Sequence, residues 1–478
     1  MSEEKRIKTH PLMIFKFTRR YIFILLLPLV RSLFNYGATG VLSNLVITEL
    51  ILSVLIILVS VLRWLSFTLT LHADCMVVDF GLFVRRHAVI PLSKVSVLSV
   101  IKGPVLFLFG AVSARLDTDS GRGEKADFEI YLSFKNAERL LSVAGDEKKG
   151  EVRYRSRIGM ATIMAIANAS ALTGLIILAP AIKRMGEILG RQINNDLRDT
   201  LSVASALLGR IVPPAATIIA VIFASGFAVS FILSFIKYTP FKLHDSRRKI
   251  TIKHGFISHH TTEIAREYIN AVIIMVPPIM RFLRFCWVGV SSAGYGKRRG
   301  ESEVVLPAVK LREANDFQLR IFDIAVKEKY DLSCPKRTMK RAVILPIVIL
   351  ALSVLLEIYL INIFHVFSGM IVLIMSFIQL VTIYYLSVRV DYQRNGGVSF
   401  YDGVVMDSYR RLTLKKLRVK RDKACMIKIS QGPFERKYGV VRMAVTVRSQ
   451  RPLTLKAVNL DKNEAEKAVR RYFKSQKP

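Results

Sequence analysis

Residues 67–95 read FTLTLHADCMVVDFGLFVRRHAVIPLSKV, two runs of alternating apolar and polar residues that meet at Gly81. The same arrangement returns as KLHDSRRKITIKHGFISHHTTEIAREYI at 242–269, around Gly255, and as VRVDYQRNGGVSFYDGVVMDSYRRLTLKKL at 388–417, around Gly403. A period of two is typical of half-buried β-strands, and glycine accepts the positive φ of a tight hairpin turn. The three stretches therefore predict one hairpin-rich unit that is present three times.

A second signature follows each hairpin and ends in a helix. It reads GPVLFLFGAVSARLDT at 103–118, PPIMRFLRFCWVGVSS at 277–292 and GPFERKYGVVRMAVTV at 432–447. An aromatic–glycine step stands at Gly110 and Gly439, and the middle copy has Phe285-Cys286 there, which predicts a distorted turn. Candidate helix N-caps follow at Asn136, Asn315 and Asp461. Short antiparallel strands closed by a C-terminal helix predict an α+β roll.

Long apolar segments precede each copy. A bilayer core of about 30 Å takes roughly 20 apolar residues in a helix. Six segments of suitable composition form three closely spaced pairs: 21–36 with 45–62, 158–180 with 211–236, and 342–363 with 366–387. Arg19 and Arg20 before the first segment resemble the start of a signal peptide. No clean cleavage site follows, so we expect an uncleaved first helix.

The composition is that of a membrane protein with large water-facing parts. Of 478 residues 52% are hydrophobic, yet 71 Lys and Arg stand against 36 Asp and Glu, for a formal charge of +35. Mean hydropathy is +0.36. Lipid-spanning segments that alternate with basic segments produce this combination, which excludes a purely soluble enzyme and disfavours nucleic-acid binding. Four scattered cysteines without a CxxC pair support neither a zinc site nor a disulfide framework.

Lys and Arg fall almost entirely on one side of the predicted spans. The N-terminus and the three large hydrophilic segments hold 65 of the 71. Basic residues resist translocation and stay on the cytoplasmic face. We therefore predict a multi-pass protein of the cell membrane whose N-terminus and rolls are cytoplasmic. The other side keeps Arg31, Lys183, Arg184, Arg191, Arg198 and Arg210.

The predicted order is a helix pair followed by a roll, three times over. The helix pairs lie in 1–64, 157–237 and 341–388, and the rolls in 65–150, 238–330 and 389–475. Each roll has the size of a small domain. The predicted fold class is an α+β membrane protein with six transmembrane helices in three hairpins, each followed by a cytosolic β-roll with a C-terminal helix.

The first copy carries Gly81-Leu82-Phe83-Val84-Arg85-Arg86, Pro91-Leu92-Ser93-Lys94-Val95 and Gly110 behind its helix pair. The corresponding segments are Glu263-Ile264-Ala265-Arg266, which lacks the Pro-x-Ser-Lys part, and Leu412-Thr413-Leu414-Lys415-Lys416. This arrangement resembles the bacterial pleckstrin-homology (PH) domains of the second type. Three copies cover almost the whole chain, which is similar to the long, triple-domain member of that family in Gram-positive bacteria. The resemblance implies PH-like rolls, a role in envelope defence such as tolerance to antimicrobial peptides, and a shorter membrane partner with a single PH-like domain.

No cofactor, metal site or catalytic constellation is predicted, and we expect that the protein is not an enzyme. His259-His260 is the one adjacent histidine pair, but neighbours on a strand point to opposite faces and chelate poorly. The sequence SSAGYGKRRG at 291–300 lacks the glycine and the Ser or Thr that a phosphate loop requires. It is better explained as an ordinary loop between strands.

Glu357 is the one charged residue in the segment 342–363. A carboxylate inside a span is costly unless it is paired or hydrated, so it defaults to a functional hypothesis. Structural pairing or snorkelling is the favoured explanation. A proton or ion path is the alternative, for which Glu49 and His365 are the available partners, both nearer the outer edge.

The densest charge lies in RRLTLKKLRVKRDK at 410–423, whose period-two start predicts a strand with one cationic face. Near an anionic leaflet each Lys or Arg is worth about 1 kcal/mol, so the face suits lipid headgroups or a partner. A solvated edge strand guarded by lysines is the alternative. The candidate binding residues are Arg410, Arg411, Lys415, Lys416, Arg418, Lys420 and Arg421.

Two functions from different classes remain. The preferred one is a non-enzymatic membrane scaffold whose cytosolic rolls contact membrane lipids and the shorter family member, without nucleic acid. The alternative is a transporter or channel in which six helices form the path and the rolls regulate it. Replacing Glu357 by Gln would leave a scaffold active and impair a transporter.

Overall fold

The chain folds into two compact units. One comprises residues 1–153, 243–268 and 293–295, and the other comprises 154–242, 269–292 and 296–478. The boundary passes through the second of the three sequence copies. The computed structural model describes residues 5–19, 21, 44–72, 74–119, 127–144, 151–170, 173–174, 176, 214–292, 303–322, 330–365, 368–400, 403–410, 412–448 and 453–474.

In its described residues, each sequence copy contains seven strands and one C-terminal helix. The first copy consists of β1 (Lys5–Lys8), α1 (Met13–Thr18), α2 (Asn44–Leu65), β2 (Thr68–Leu71), β3 (Cys75–Phe80), β4 (Arg86–Pro91), β5 (Val95–Lys102), α3 (Pro104–Leu108), β6 (Ala111–Thr118), β7 (Phe128–Ser133) and α4 (Phe134–Ala144). The strand before the apolar helices, β1, pairs with the strand after them, β2, from Lys5↔Leu71 to Lys8↔Thr68.

The second and third copies repeat this order. The second consists of β8 (Glu151–Arg155), α5 (Ile158–Asn168), α6 (Pro214–Tyr238), β9 (Phe241–Asp245), β10 (Lys249–His254), β11 (His259–Ala265), β12 (Ile269–Val276), α7 (Pro278–Phe282), β13 (Phe285–Ser292), β14 (Glu303–Lys310) and α8 (Leu311–Phe322). The third consists of β15 (Leu332–Ser333), α9 (Met339–Ile363), α10 (Ser368–Asn395), β16 (Gly397–Ser399), β17 (Gly403–Arg410), β18 (Thr413–Lys420), β19 (Ala424–Ser430), α11 (Pro433–Lys437), β20 (Val440–Val447), β21 (Leu453–Asp461) and α12 (Lys462–Lys474). A 3-10 turn separates the fourth strand from the fifth in every copy.

Successive copies share their sheets. The last three strands of one copy join the first four of the next in seven-stranded sheets with the orders β7-β6-β5-β11-β10-β9-β8 and β14-β13-β12-β18-β17-β16-β15. Strands β1–β4 form a sheet of their own, as do β19–β21. The two units therefore divide the chain differently from the predicted rolls 65–150, 238–330 and 389–475, because neighbouring copies are joined edge to edge.

The two joints between copies have the same register. In the first, β5 pairs antiparallel with β11, starting at Val97↔Ile264 and continuing for five more pairs. In the second, β12 pairs with β18, starting at Ala271↔Val419 and again continuing for five. Val97 and Ala271 both stand seven residues before the proline that opens the next short helix. The joints are therefore repeats of one another.

The core of each roll lies between two sheets. In the first copy, alternate residues of both sheets bury Leu69, Val78, Val100 and Leu132, and Leu140 of α4 closes the cluster. Fully burying one such side chain stabilises the fold by about 1.5–3 kcal/mol. The core of the third copy also contains Ala271 and Ile273 from β12 of the second copy. The fifth strand of a copy therefore contributes to the core of the next one.

Two helices in the described part of the chain are long and apolar enough to cross a membrane. They run from Lys336 to Ile363 and from Ser368 to Asn395. Shorter apolar helices span Ile51–Leu65, Ile158–Asn168 and Ile222–Tyr238. The predicted span 21–36 and residues 177–213 lie almost wholly outside the described residues. Six crossings therefore stay a prediction.

The three predicted hairpin glycines all have positive φ. In the third copy, however, the glycine lies at a different turn. Gly81 and Gly255, at the tips of β3–β4 and β10–β11, have φ of +119° and +98°. Gly403, with φ of +147°, lies one turn earlier, where it opens β17 after the connection from β16. The alternating run 388–395 that suggested a strand there is the end of helix α10. The third hairpin turns instead between Arg410 and Thr413, which pair with each other.

The second signature folds alike in all three copies. Gly110 and Gly439 follow the short helices with φ of +69° and +63°, and Arg284 takes the same place with φ of +59°. The middle turn is therefore regular, and the prediction of a distorted turn at Phe285-Cys286 is wrong. Asp461 caps α12, because its Oδ1 accepts the amide N–H of the second residue of the helix at 3.0 Å. Asn136 and Asn315 lie inside α4 and α8 and do not cap them, since both helices begin directly after a strand.

Replacing Gly81 by Ala should destabilise the protein by at least about 1 kcal/mol, because a left-handed conformation is strained for any residue with a Cβ. That Cβ would also lie 2.0 Å from the carbonyl oxygen of Val84. Gly103→Ala is the matched control, since its φ of −73° is ordinary and no atom lies within 4 Å. Thermal unfolding of the full chain in detergent measures both. Equal losses for the two variants would contradict the described turn.

Candidate functional site

Each roll has an end at which the apolar helices enter, called here the helix end. In the first copy, α2 ends at Leu65 and β2 begins at Thr68. Thr68 pairs with Asp79, near the end of β3. Because β3 returns antiparallel to β2, the tip of the β3–β4 hairpin, residues 81–85, lies at the helix end.

This tip presents apolar side chains to the surroundings. Phe83 is 95% exposed and Val84 is also strongly exposed. Arg85 and Arg86 follow directly and are exposed as well. Single exposed apolar residues are common, but a fully exposed aromatic side chain at a tip beside an apolar helix indicates a contact surface.

The β10–β11 tip repeats the arrangement in the same unit. Phe256 and Ile257 are both more than half exposed. The neighbouring His259 pairs with Lys102, which directly precedes α3 in the first copy. The tip and α3 therefore lie at one end of the shared sheet. Phe109, just after α3, lines an apolar groove with Ile57 of α2, which places this end beside the apolar helix.

The short helices of the other two copies also lie at a helix end. In α7, Arg281 Nη2 is 3.0 Å from Asp391 Oδ2 in the last turns of α10. Just after α11, the carbonyl oxygen of Gly439 accepts a hydrogen bond from Arg337, which precedes α9. Each short helix carries a strongly exposed apolar residue: Leu108, Phe282 at 88% and Phe434 at 78%.

The third hairpin contacts an apolar helix directly. Tyr384 of α10 donates its hydroxyl hydrogen to the carbonyl oxygen of Leu412 at the hairpin tip, at 3.2 Å. Tyr384 stands eleven residues before the end of α10. The tip therefore extends along the helix beyond the roll, and the predicted binding residue Arg410 ends β17 at this tip.

The predicted basic face is not one exposed surface, because β18 is an interior strand. It pairs with β17 on one side and β12 on the other. Arg418 is only 3% exposed, and its Nη2 donates to Asn315 Oδ1 in α8 at 2.8 Å. Of the remaining predicted residues, Arg411 lies outside the described residues, Lys415 and Lys416 are half-buried, Lys420 is exposed and Arg421 opens the 3-10 turn.

Lys416 and Arg418 belong to a buried charge cluster with Asp407. Lys416 Nζ lies 3.7 Å from Asp407 Oδ2. Burial raises the pKa of Asp407, while Lys416, the Tyr330 hydroxyl and Arg418 act in the opposite direction. Burial lowers the pKa of Arg418, opposed by Tyr330 and Asp407. These charge contacts hold β17, β18 and α8 together. Among the candidate binding residues whose side chains are described, Lys420 is the exposed one.

Glu357 is paired within the helices. Gln379 Nε2 of α10 donates to Glu357 Oε2 of α9 at 2.6 Å. A side-chain pair between two packed helices satisfies the carboxylate without a water-filled path. The contact is the structural pairing that the sequence favoured.

Metal-ligand clusters are missing from the part of the chain that the structure describes, where no three His, Cys, Asp or Glu residues could hold an ion. His260 stacks on His254 across the β10–β11 pair, with ring centroids 5.0 Å apart. This contact gives His260 a packing role.

A mostly buried charge also stands in β11, at the position that Arg418 occupies in β18. Glu263 lies opposite Leu98 of β5, and its Oε2 is 3.8 Å from Lys249 Nζ. Burial raises the pKa of Glu263, while Lys249 and Lys253 act in the opposite direction. Strands β11 and β18 therefore each carry one ionisable side chain that is mostly or fully buried.

Repeated seven-stranded rolls with C-terminal helices, joined behind apolar helices, define a membrane protein of the pleckstrin-homology type. The family model described as "Bacterial PH domain" matches residues 22–148 and 199–323, more than half of the chain. The chain therefore belongs to the bacterial PH domain family. The third copy lies outside the matched residues, and the structure gives it the same element order as the other two.

One curated relative is a transmembrane protein. The chain is 22% identical over 321 residues to the UPF0699 transmembrane protein YdbT of Bacillus subtilis (strain 168). The match covers 61% of this chain and 63% of that protein, less than two thirds of its length. No solved structure matches the chain significantly. The relative and the two long apolar helices agree on a membrane protein with PH-like domains.

The exposed apolar residues of the hairpin tips are visible in the sequence but are not among the predicted site residues. Gly81-Leu82-Phe83 and Gly255-Phe256-Ile257 stand in the predicted turns, where polar residues are the norm. An aromatic residue directly after a turn glycine is a usable signal, because a solvated turn gains nothing from it.

Replacing Glu263 by Gln should stabilise the protein at neutral pH. The raised pKa means that ionised Glu263 destabilises the folded state above that pKa. The advantage of the variant should shrink as the pH falls towards the ordinary value of 4.5 and vanish below it, where the wild-type carboxyl is protonated in both states. Unfolding temperatures between pH 4 and pH 8 measure it, with Glu138→Gln as control, because Glu138 is exposed on α4. A variant that is less stable at pH 7 than at pH 4.5, relative to wild type, would refute the assignment.

Proposed function

We propose that this protein is a non-enzymatic, multi-pass membrane scaffold whose PH-like rolls lie in the cytoplasm and contact the inner leaflet. The observation that carries the proposal is the set of exposed apolar residues at the helix ends. These residues stand where a bilayer surface would be if the apolar helices cross it. Insertion of one such side chain into the acyl boundary is worth about 1.5–3 kcal/mol.

Basic residues accompany the apolar ones and suit an anionic leaflet. Each Lys or Arg near such a surface adds about 1 kcal/mol. The order apolar-then-basic recurs in Phe83-Val84-Arg85-Arg86, Phe282-Leu283-Arg284 and Phe434-Glu435-Arg436-Lys437. We therefore propose lipid contact at these segments, and not in the interior of β18 or at Lys420, which ends β18 at the end opposite the hairpin tip.

Strand pairing supports a common side for the rolls. Because β1 pairs with β2, both ends of the intervening segment 9–67 lie on one side of a bilayer, which requires an even number of crossings. The pair β15 and β16 imposes the same condition on α9 and α10. Six helices in three hairpins satisfy both conditions, and the distribution of Lys and Arg favours the cytoplasm for the rolls.

A transporter receives less support. The Glu357–Gln379 hydrogen bond gives the intramembrane carboxylate a structural partner. Envelope defence, such as tolerance to membrane-active antimicrobial peptides, and association with a shorter single-roll family member are proposed on the family resemblance. Disruption of the tips, and not Glu357→Gln, is expected to abolish such a role.

The tip at Phe83 should lie in lipid. Phe83→Cys carrying an environment-sensitive fluorophore is expected to show blue-shifted emission in proteoliposomes with phosphatidylglycerol, and quenching by nitroxide-labelled lipid. Thr454→Cys is the control, since Thr454 is exposed at the start of β21, whose other end lies beside Arg337. Equal, water-like emission from both sites would refute lipid contact at this tip.

Orientation can be tested with a native thiol. Cys425 is exposed in the third roll, whereas Cys286 and Cys334 are buried. A membrane-impermeant maleimide should label Cys425 in inside-out vesicles and leave it unlabelled in intact cells. Cys425→Ser identifies the signal, because Cys75 is less exposed. Labelling in intact cells would place the rolls outside.

A further inference from the structure

Two sheet edges are left open at the ends of the array. Strands β11 and β18 each pair with the fifth strand of the preceding copy. In the described part of the chain, β4 has no such neighbour and β19 has no following copy to join, since each is the last strand of its sheet. Open backbone N–H and C=O groups on an edge strand are templates for pairing with another strand.

The two open strands correspond to the two halves of an internal joint. Met426 of β19 stands seven residues before Pro433, as Val97 and Ala271 do before their own prolines. Ile90 of β4 stands two residues before the 3-10 turn, as Ile264 and Val419 do. The register of a third joint is therefore fixed by the first two.

Side-chain exposure shows what the open joint lacks. Met426 is 51% exposed, whereas its counterparts Val97 and Ala271 are each 1% exposed. In the third copy, Ala271 and Ile273 of the joined strand are part of the core. Among the described residues, no strand of the first copy stands in that place, and Ala88 of β4 is only half-buried, whereas its counterpart Leu417 is fully buried.

We propose that β19 of one copy of this chain pairs with β4 of a second copy, in the register of the internal joints. Each chain brings both halves of the joint, so a second copy can supply the strand that each open edge lacks. The expected pairs are Met426↔Ile90, Ile427↔Val89, Lys428↔Ala88, Ile429↔His87, Ser430↔Arg86 and Gln431↔Arg85. The donated face of β19 then covers the open side of the first roll, as β12 does in the third.

The register is compatible with the charges of both strands. Although β4 is basic, no Lys, Arg or His of one strand stands directly opposite one of the other, which is the arrangement that destabilises a pair. Pro91, which lacks an amide hydrogen, falls just outside the paired residues. Neither opposed like charges nor a proline within the paired residues therefore blocks strand pairing in this register.

Lys428 makes the joint between chains weaker than the internal ones. Its counterparts are Ser99, which is hydrogen-bonded to Thr262 at 3.3 Å, and Ile273, which is fully buried. A lysine in this place must keep its ammonium group hydrated, and lysine is a common guard of open edges. The association is therefore reversible. Because the two edges are different surfaces, it is head-to-tail and produces rings or longer arrays.

Disulfide trapping tests the register in the full-length protein. Two differently tagged chains are co-reconstituted in the Cys75→Ser, Cys425→Ser background, one with Ala88→Cys and the other with Lys428→Cys. Oxidation is expected to join the two tags. Ala88→Cys with Ile429→Cys is the mismatched control, because a shift of one residue moves the thiol to the opposite face of the sheet. Cross-linking no stronger than in this control would overturn the proposal.

A second measurement does not depend on cysteine variants. Lys428→Ile is expected to lower the dissociation constant between labelled full-length chains by at least about tenfold, since it restores the residue found in the second joint. Lys456→Ile is the matched control, because Lys456 is exposed on β21, at the other edge of the same sheet. Equal effects of the two variants, or a single-chain mass for Lys428→Ile, would overturn the proposal.

The partner can also be identified in cells. The Ala88→Cys chain is expected to cross-link to the Lys428→Cys chain in native membranes. A cross-link from Ala88→Cys to a different PH-like protein, with none to a second copy, would overturn self-pairing and assign the edge to that protein. Lipid contact at the tips is measured separately by the Phe83 probe, so either result can fail without the other.

Discussion

Backbone pairing at the fifth strand is the constraint on which the molecule depends. A strand has two edges, and each N–H and C=O group that is removed from water must find a partner. In β5 and β12 one edge is satisfied by the strand's own copy and the other by the next copy. The strand also has two faces, and Ala271 and Ile273 show that one face completes the neighbouring core. The three sequence units are thereby linked through two shared seven-stranded sheets. Loss of β5 or β12 would damage two rolls.

The surface that meets the surroundings is made by the turns. The sheets fix where the hairpin tips and short helices lie, and both sets stand beside the apolar helices. Phe83, Phe282 and Phe434 are exposed on these tips and short helices. The basic residues that follow them give each helix end a positive potential. Apolar and charged side chains therefore stand together at each helix end, whereas the dense charge of β18 holds strands and a helix in place.

Much of the fold follows from the spacing of apolar residues and from the residues that form turns. The threefold unit, the turns at Gly81 and Gly255, the C-terminal helices and the apolar segments could be read from the sequence, since each depends on local spacing. Sharing of sheets could not, because an interior strand and an edge strand have the same alternation. For the same reason the alternating pattern of residues 410–423 predicts an exposed cationic face. Arg418 is buried by β12, which stands more than 140 residues away in the chain. The run 388–395 shows the reverse error, where a period-two pattern belongs to the last turns of α10.

The pairing of β1 with β2, and of β15 with β16, links the order of synthesis to the order of folding. The first strand of each roll leaves the ribosome before its apolar helices, and the second leaves after them. In the multi-pass arrangement proposed above, the opening sheet of a roll cannot close until both helices of the preceding pair have entered the bilayer. Closure of that sheet therefore follows, and reports, insertion of the pair.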